Sequence, residues 1–226
     1  YFGHSKADKA KVMEALQPTH WAISLSGEPT MYPKLPELVK YLKSLPNTRS
    51  IFIVTNGLYP EMIERLWHED ALPTQLYLSL NAPNRDLFYR IANPVIHRED
   101  AWERVLKTLE LLSKVPTRTV VRITLIRGWN TSDDLIPQFA KVLAIGNPHF
   151  IEPKSYMHLG HSVYKLSKEN MLRHEEVREW SLKLLRALKD VGLNYRFMDE
   201  DAASRITVLQ NMDRYVDRWI APPGNA

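Results

Sequence analysis

Polar residues of a narrow kind follow the apolar runs of this chain. "ISLSGEP" leads from an apolar run into Ser26, Gly27 and Glu28, "IVTNG" ends on Thr55 and Asn56, and "LYLSLNA" carries Ser79 and Asn81. Further on, "TVVRITLIRG" places Arg122 and Thr124 in alternation, and "FIEPKSYMHLG" holds Glu152, Lys154, Ser155 and Tyr156. Hydroxyls and amides bond sugar oxygens, a turn glycine lets backbone carbonyls approach an ammonium, and an arginine meets a carboxylate. The set suits a ligand that brings a ribose, an amino acid and a heterocycle. Neither a phosphate-cradling glycine loop nor G-x-G-x-x-G occurs, so nucleoside triphosphates and dinucleotides are poor candidates.

Each of these residues also has a structural reading. Of eight glycines, Gly27, Gly57, Gly128 and Gly160 sit just past apolar runs, where strand-to-helix turns call for positive φ. Arg122, Thr124 and Ile126 share one strand face, and Val121, Ile123 and Leu125 share the other. An arginine on an inner face is either paired, with Glu28 or Glu152, or meets an anionic ligand. Lys154 stands equally between a salt bridge to Glu152 and a substrate contact. The chain has no cysteine, which excludes a disulfide, a thiolate nucleophile and a sulfur-ligated metal within it. The histidines are scattered. His158 and His161 are the closest pair and fall short of the four ligands of a structural zinc, so no metal site is expected.

The elements that position these groups alternate. "WAISLS" (21–26), "SIFIVTNG" (50–57), "QLYLSLNA" (75–82), "TVVRITLIRG" (119–128) and "HFIEPKSYMHLG" (149–160) read as strands. Between them lie helical stretches at 34–45, 60–69, 99–115 and 132–146, and another follows at 174–192. Leu35, Leu38, Val39 and Leu42 fall on one helical face, as do Ala101, Val105, Leu109 and Leu112. Pro60 suits a first helical turn, and Ser132 or Asp133 is placed to cap the next helix. "NYRFMDE" and "SRITVLQN" read as two more short strands, and residues 212–226 as an irregular tail on a single domain spanning 1–226. Alternation of strand and helix implies parallel strands, because each return to the sheet needs a crossover. A doubly wound sheet and a β/α barrel share that pattern. In either, the polar residues converge on one rim. The net charge of +4, from 30 basic and 26 acidic residues, is compatible with a nucleic-acid partner. No apolar stretch approaches the roughly 20 residues of a membrane span, and the first residues lack a secretory layout. A soluble, cytoplasmic, monomeric protein is the expectation.

At the strand-end residues the sequence resembles the radical S-adenosylmethionine (SAM) superfamily, and more narrowly the archaeal tRNA 4-demethylwyosine synthases. The segments that carry the resemblance are "HWAISLSGEPTMYP", "FIVTNG", "LPTQLYLSLNAP", "PTRTVVRITLIRGWN", "FIEPKSYMHLGHS" and "NMLRHEEV". It implies an α/β fold, a partial (β/α)6 barrel of parallel strands. It also implies a reaction joining carbons of pyruvate to N1-methylguanosine in phenylalanine tRNA, with SAM and a 4Fe–4S cluster as cofactors. Ser26, Gly27 and Glu28 would then face the methionine amino group, with Thr55, Asn56, Ser79 and Asn81 along the ribose and methionyl region. Asn81 stands where relatives carry aspartate. Arg122 and Thr124 would complete the cofactor wall, and Lys154 and Tyr156 would face pyruvate or the base, Lys154 as the catalytic candidate. The family's C-x3-C-x2-C loop is absent, so the resemblance implies that Tyr1 begins inside the family's sequence, with first strand and cluster loop missing. A barrel that binds SAM or tRNA without catalysis, and a Schiff-base lyase using Lys154, are the alternatives.

Overall fold

The computed structural model describes residues 6–24 and 27–220, built around a seven-stranded sheet of order β1-β2-β3-β4-β5-β7-β6. Strands β1 (His20–Ile23), β2 (Ser50–Thr55), β3 (Gln75–Ser79), β4 (Arg118–Leu125) and β5 (Phe150–Ser155) are parallel, each hydrogen-bonded to the next in the chain. Sequential neighbours with no reversal of order carry every right-handed crossover to the same face. That choice separates a barrel-type winding from a doubly wound sheet. The last two strands depart from the parallel expectation: β7 (Ile206–Asn211) pairs antiparallel with β5, and β6 (Tyr195–Asp201) antiparallel with β7. The short connection between them allows only a hairpin.

Helices α2 (Leu35–Ser44), α3 (Pro60–His68), α5 (Ala101–Leu112), α6 (Ile136–Gly146) and α7 (His174–Asp190) cover one face of the sheet. Their apolar stripes meet Ile51, Ile53, Leu76, Leu78, Val121, Ile123, Leu125 and Ile151, each 1% exposed or less. Leu35, Val39, Leu42, Ala101, Val105, Leu109 and Leu112 are buried as their helical spacing requires. α1 (Lys9–Ala15) buries none of its residues. α4 (Arg85–Ala92) was not anticipated: Asn84 Oδ1 caps it by accepting from Leu87 N at 3.0 Å, and Leu87 and Phe88 anchor it. The expected cap on α6 is replaced by a 3-10 turn, Asp133–Leu135. Ser132 makes no side-chain cap, and the Asp133 carboxylate instead receives Lys183 Nζ at 2.9 and 3.0 Å.

On the other, concave face a smaller apolar group forms from Tyr77, Val120 and Phe150 with Phe52, Val54, Met198, Val208 and Val216. Val216 belongs to residues 212–220, which carry no helix or strand, and its carbonyl accepts from Gln210 Nε2 at 2.7 Å. The remainder of the tail, 221–226, lies outside the described residues. No helix among the described residues is long and apolar enough to cross a membrane.

Candidate functional site

The C-terminal ends of five parallel strands meet on one rim, and strand register decides which side chains share the concave face. Ser79 lies beside Arg122, Arg122 beside Glu152, and Thr124 beside Lys154. Thr55 sits with Ile51 and Ile53 on the helix side, one residue out of phase with Asn56. Hence Thr55, 1% exposed, does not face the ligand side.

Glu28 and Thr55 act together as a strut. Glu28 Oε1 accepts from Thr30 N at 3.2 Å, Thr30 Oγ1 at 2.6 Å and Thr55 Oγ1 at 2.7 Å, while Oε2 accepts from Asn56 N at 2.8 Å. The carboxylate thus ties the loop after β1 to the end of β2. Gly27, immediately before it, is exposed with φ +75. Ser26 lies outside the described residues.

A cavity of about 400 Å3 opens beyond the ends of β2 and β3. Asn56, Ser79 and Asn81 supply polar lining at the strand ends, and Met31, Phe88 and Pro94 to Ile96 of the 93–96 loop supply an apolar wall. Asn56 Oδ1 accepts from Leu58 N at 3.0 Å, and Asn81 Oδ1 accepts from Thr124 N at 2.9 Å. Both amide carbonyls are therefore engaged by backbone, which leaves both NH2 groups free to donate. Neither makes a hydrogen bond among the described residues, and neither does the Ser79 hydroxyl. The cavity offers donors to an acceptor-rich ligand such as a sugar or heterocycle. Asn130, fully buried, holds this wall: its Nδ2 donates to Asn81 O at 2.9 Å and Thr124 O at 2.8 Å, and its Oδ1 accepts from Ile126 N at 2.7 Å. Sequence reading missed Asn130, Met31, Phe88 and the 93–96 loop. No local spacing distinguishes them, because they meet the strand ends only through the fold.

Arg122 and Thr124 do not line that cavity, although the backbone of Thr124 holds its Asn81 wall. Arg122 donates from Nε (3.2 Å) and Nη2 (3.0 Å) to Glu152 Oε2, and its guanidinium sits 4.8 Å from the Tyr77 ring centre. Tyr77 Oη donates to Glu152 Oε1 at 3.1 Å. Burial, then the Glu152 charge, pushes the Tyr77 phenol well above its usual range, so it stays a donor. The two partners open to Arg122 from sequence resolve to Glu152, with Glu28 engaged elsewhere. Arg122 Nη1 has no acceptor among the described residues. Lys154, one row nearer the rim, is half-buried and forms no ion pair among the described residues, so the salt bridge to Glu152 is not made. Tyr156, 5% exposed, turns inward, its Oη 3.2 Å from His158 Nδ1 and 3.0 Å from Ser162 Oγ. It anchors a loop and presents little surface to a ligand. Among the described residues no group of three or more His, Asp or Glu is placed to hold a metal ion.

The profile of the radical SAM superfamily matches residues 7–137, more than half of the chain. The chain belongs to the radical SAM superfamily. A profile described as wyosine base formation matches residues 145–211 of this superfamily member. The S-adenosyl-L-methionine-dependent tRNA 4-demethylwyosine synthase of Pyrococcus horikoshii is 42% identical over 213 residues, covering 94% of this chain and 59% of that protein. Its namesake in Methanocaldococcus jannaschii is 42% identical over 212 residues, covering 94% and 62%. A solved structure of TYW1 with a lysine–pyruvate adduct bound superposes with a TM-score of 0.78 at 39% identity, covering 92% of this chain and 62% of that one. The radical SAM chain thus spans less than two thirds of the length of these relatives. The two profiles also divide the site: the cavity and Arg122 fall in the first, and Glu152, Lys154 and Tyr156 in the second.

Proposed function

We propose that this chain is the cofactor- and RNA-facing core of a tRNA 4-demethylwyosine synthase, which joins pyruvate-derived carbons to N1-methylguanosine of phenylalanine tRNA. The donor-lined cavity at the ends of β2 and β3 carries the reading. Its volume falls in the range of about 300–1,000 Å3 usual for small-molecule sites. The names of the relatives and the match of the wyosine profile support the choice of reaction.

The residues present fit SAM. Asn56 and Asn81 donate from amide nitrogens whose orientation is set by backbone bonds, and Ser79 adds a hydroxyl between them. Phe88 and the 93–96 loop give the heterocycle an apolar wall. Gly27, exposed after β1, is the candidate for the methionine amino group, and Glu28 ties the loop that follows it to the end of β2. When bound and given one electron by a reductant that this chain does not hold, SAM would supply the abstraction of a hydrogen atom. The residues present do not fit a 4Fe–4S cluster, since the chain has no cysteine to ligate one; such ligands would belong to residues outside these 226. Lys154, in no ion pair among the described residues, offers an ammonium on the concave face for the pyruvate carboxylate, with Thr124 its neighbour in strand register.

Calorimetric titration of the chain with SAM tests the cavity. Wild type is expected to bind, Asn81→Asp, which keeps the acceptor for Thr124 N and loses the donor, to weaken about threefold, and Asn81→Leu to lose about tenfold or more, as expected for a donor and a backbone clip removed together. Absence of binding by the wild type, or unchanged binding by Asn81→Leu, would overturn the assignment.

A further inference from the structure

Between Tyr156 and Leu172 the chain leaves the sheet and returns to it, and both feet are pinned. Tyr156 N donates to Leu125 O at 2.8 Å, and Leu172 N donates to Ser155 Oγ at 2.9 Å. Arg127 N donates to Asn170 O at 2.9 Å, and Asn170 Nδ2 returns a bond to Arg127 O at 2.9 Å. The middle is held by the Tyr156 hydroxyl on Ser162 and His158. These anchors set the segment across the ends of β4 and β5, on the rim that carries Lys154.

A pinned loop whose outward surface is apolar and aromatic calls for an occupant. Leu159 is 64% exposed and Tyr164 83% exposed, with Met157 and Val163 also open. The His161 ring lies 6.2 Å from that of Tyr164, inclined by 37°. No acidic residue occurs between Glu152 and Glu169, a span that holds Lys154, Lys165 and Lys168 besides His158 and His161. The Glu169 carboxylate, at the far foot, is held below its usual range by Ser167 and its own backbone, with the charges of His158 and Lys168 adding to them. An acid-free span whose lysines form no ion pair among the described residues selects a polyanion, and exposed rings offer flat faces on which any unstacked base can lie. The segment falls inside the wyosine profile and outside the radical SAM profile.

We propose that residues 157–168 form a platform for unpaired nucleotides of the RNA, with Tyr164 and His161 stacking on a base and Lys165 and Lys168 meeting its phosphates. This rests on the tRNA reading above and adds where the RNA lies. Unstacked bases held there would lie beside Lys154 and the concave face.

The test is fluorescence anisotropy of the full chain with labelled anticodon stem–loop of phenylalanine tRNA across a salt series. Tyr164→Ala is expected to weaken binding by about tenfold, because a base loses its stacking partner. Lys165→Glu with Lys168→Glu is expected to lower the slope of log K against log salt by about 1–2. Lys114→Glu with Lys189→Glu, at exposed sites on the opposite end of the strands, serves as the equal-charge control and is expected to leave that slope near wild type. Tyr164 is so exposed that its loss leaves the fold intact, checked by unchanged thermal unfolding. Wild-type binding undiminished by the platform variants, or diminished equally by the control, overturns the platform and leaves the tRNA reading standing. Failure of the wild type to bind any RNA overturns the tRNA reading itself.

Discussion

His149 immediately precedes β5 at the end of the strands remote from the cavity, and it is a neutral acceptor there. Thr119 N donates to its Nδ1 at 3.1 Å, which places the ring proton on Nε2. Burial first, then Arg214 and Arg118, lowers its pKa from 6.5 to about 4. The unfolded chain therefore takes up this proton before the folded one as pH falls, and stability drops between pH 6.5 and about 4. His149→Asn keeps an acceptor for Thr119 N and removes the titration. Urea unfolding from about pH 7 down to about pH 4 should show a shallower loss in that variant than in wild type. Equal slopes would exclude His149 as the source. The cavity asparagines teach the same lesson: a side chain's chemistry is set by which of its atoms the backbone has already engaged.

Turns between strand and helix distinguish two kinds of glycine at the level of elements. Gly57, after β2, has φ +83, and a Cβ there would stand 2.7 Å from Leu78 Cδ1. Gly128, after β4, has φ +77 and open space around the same position. Gly128→Ala should cost only the left-handed conformation, about 1 kcal/mol. Gly57→Ala adds a clash with a core leucine and should cost about 3 kcal/mol. Thermal unfolding of the two variants checks the order, and equal losses would show that Leu78 moves aside. The glycines were legible from their place after apolar runs. The crowding at Gly57 was not, since it comes from a neighbouring strand. α4 escaped notice for a related reason: eight residues give barely two turns of periodicity, and its anchors Leu87 and Phe88 acquire meaning only against the core.

At the scale of the whole molecule, the sheet buries apolar residues on its helix side and gathers a polar group on its concave side. Tyr77, Arg122 and Glu152 come from β3, β4 and β5, so their bonds cross three strands. Removing Glu152 leaves a guanidinium, with only 33% of its side chain exposed, facing a phenol and no anion. Glu152→Ala is expected to cost about 2 kcal/mol, below the fully buried range because Arg122 retains some solvent. Arg122→Ala with Glu152→Ala should cost less than the sum of the single variants. A double-mutant cycle by urea unfolding measures that coupling, and strict additivity would mean that the pair contributes nothing together.

The amino-acid sequence alone determined the alternation of strand and helix, the apolar stripes and the family resemblance. These depend on local periodicity and on short ordered motifs, which survive reading along one dimension. Only the tertiary structure decided how the rim residues divide. Glu28 and Thr55 became a strut, Arg122 took Glu152, and Asn56, Ser79 and Asn81 were left to donate into a cavity. It also decided that β6 and β7 close the sheet antiparallel. Partner choice among polar side chains depends on strand register and on contacts many residues apart. A one-residue change of phase, such as that between Thr55 and Asn56, moves a side chain from the ligand face to the core face.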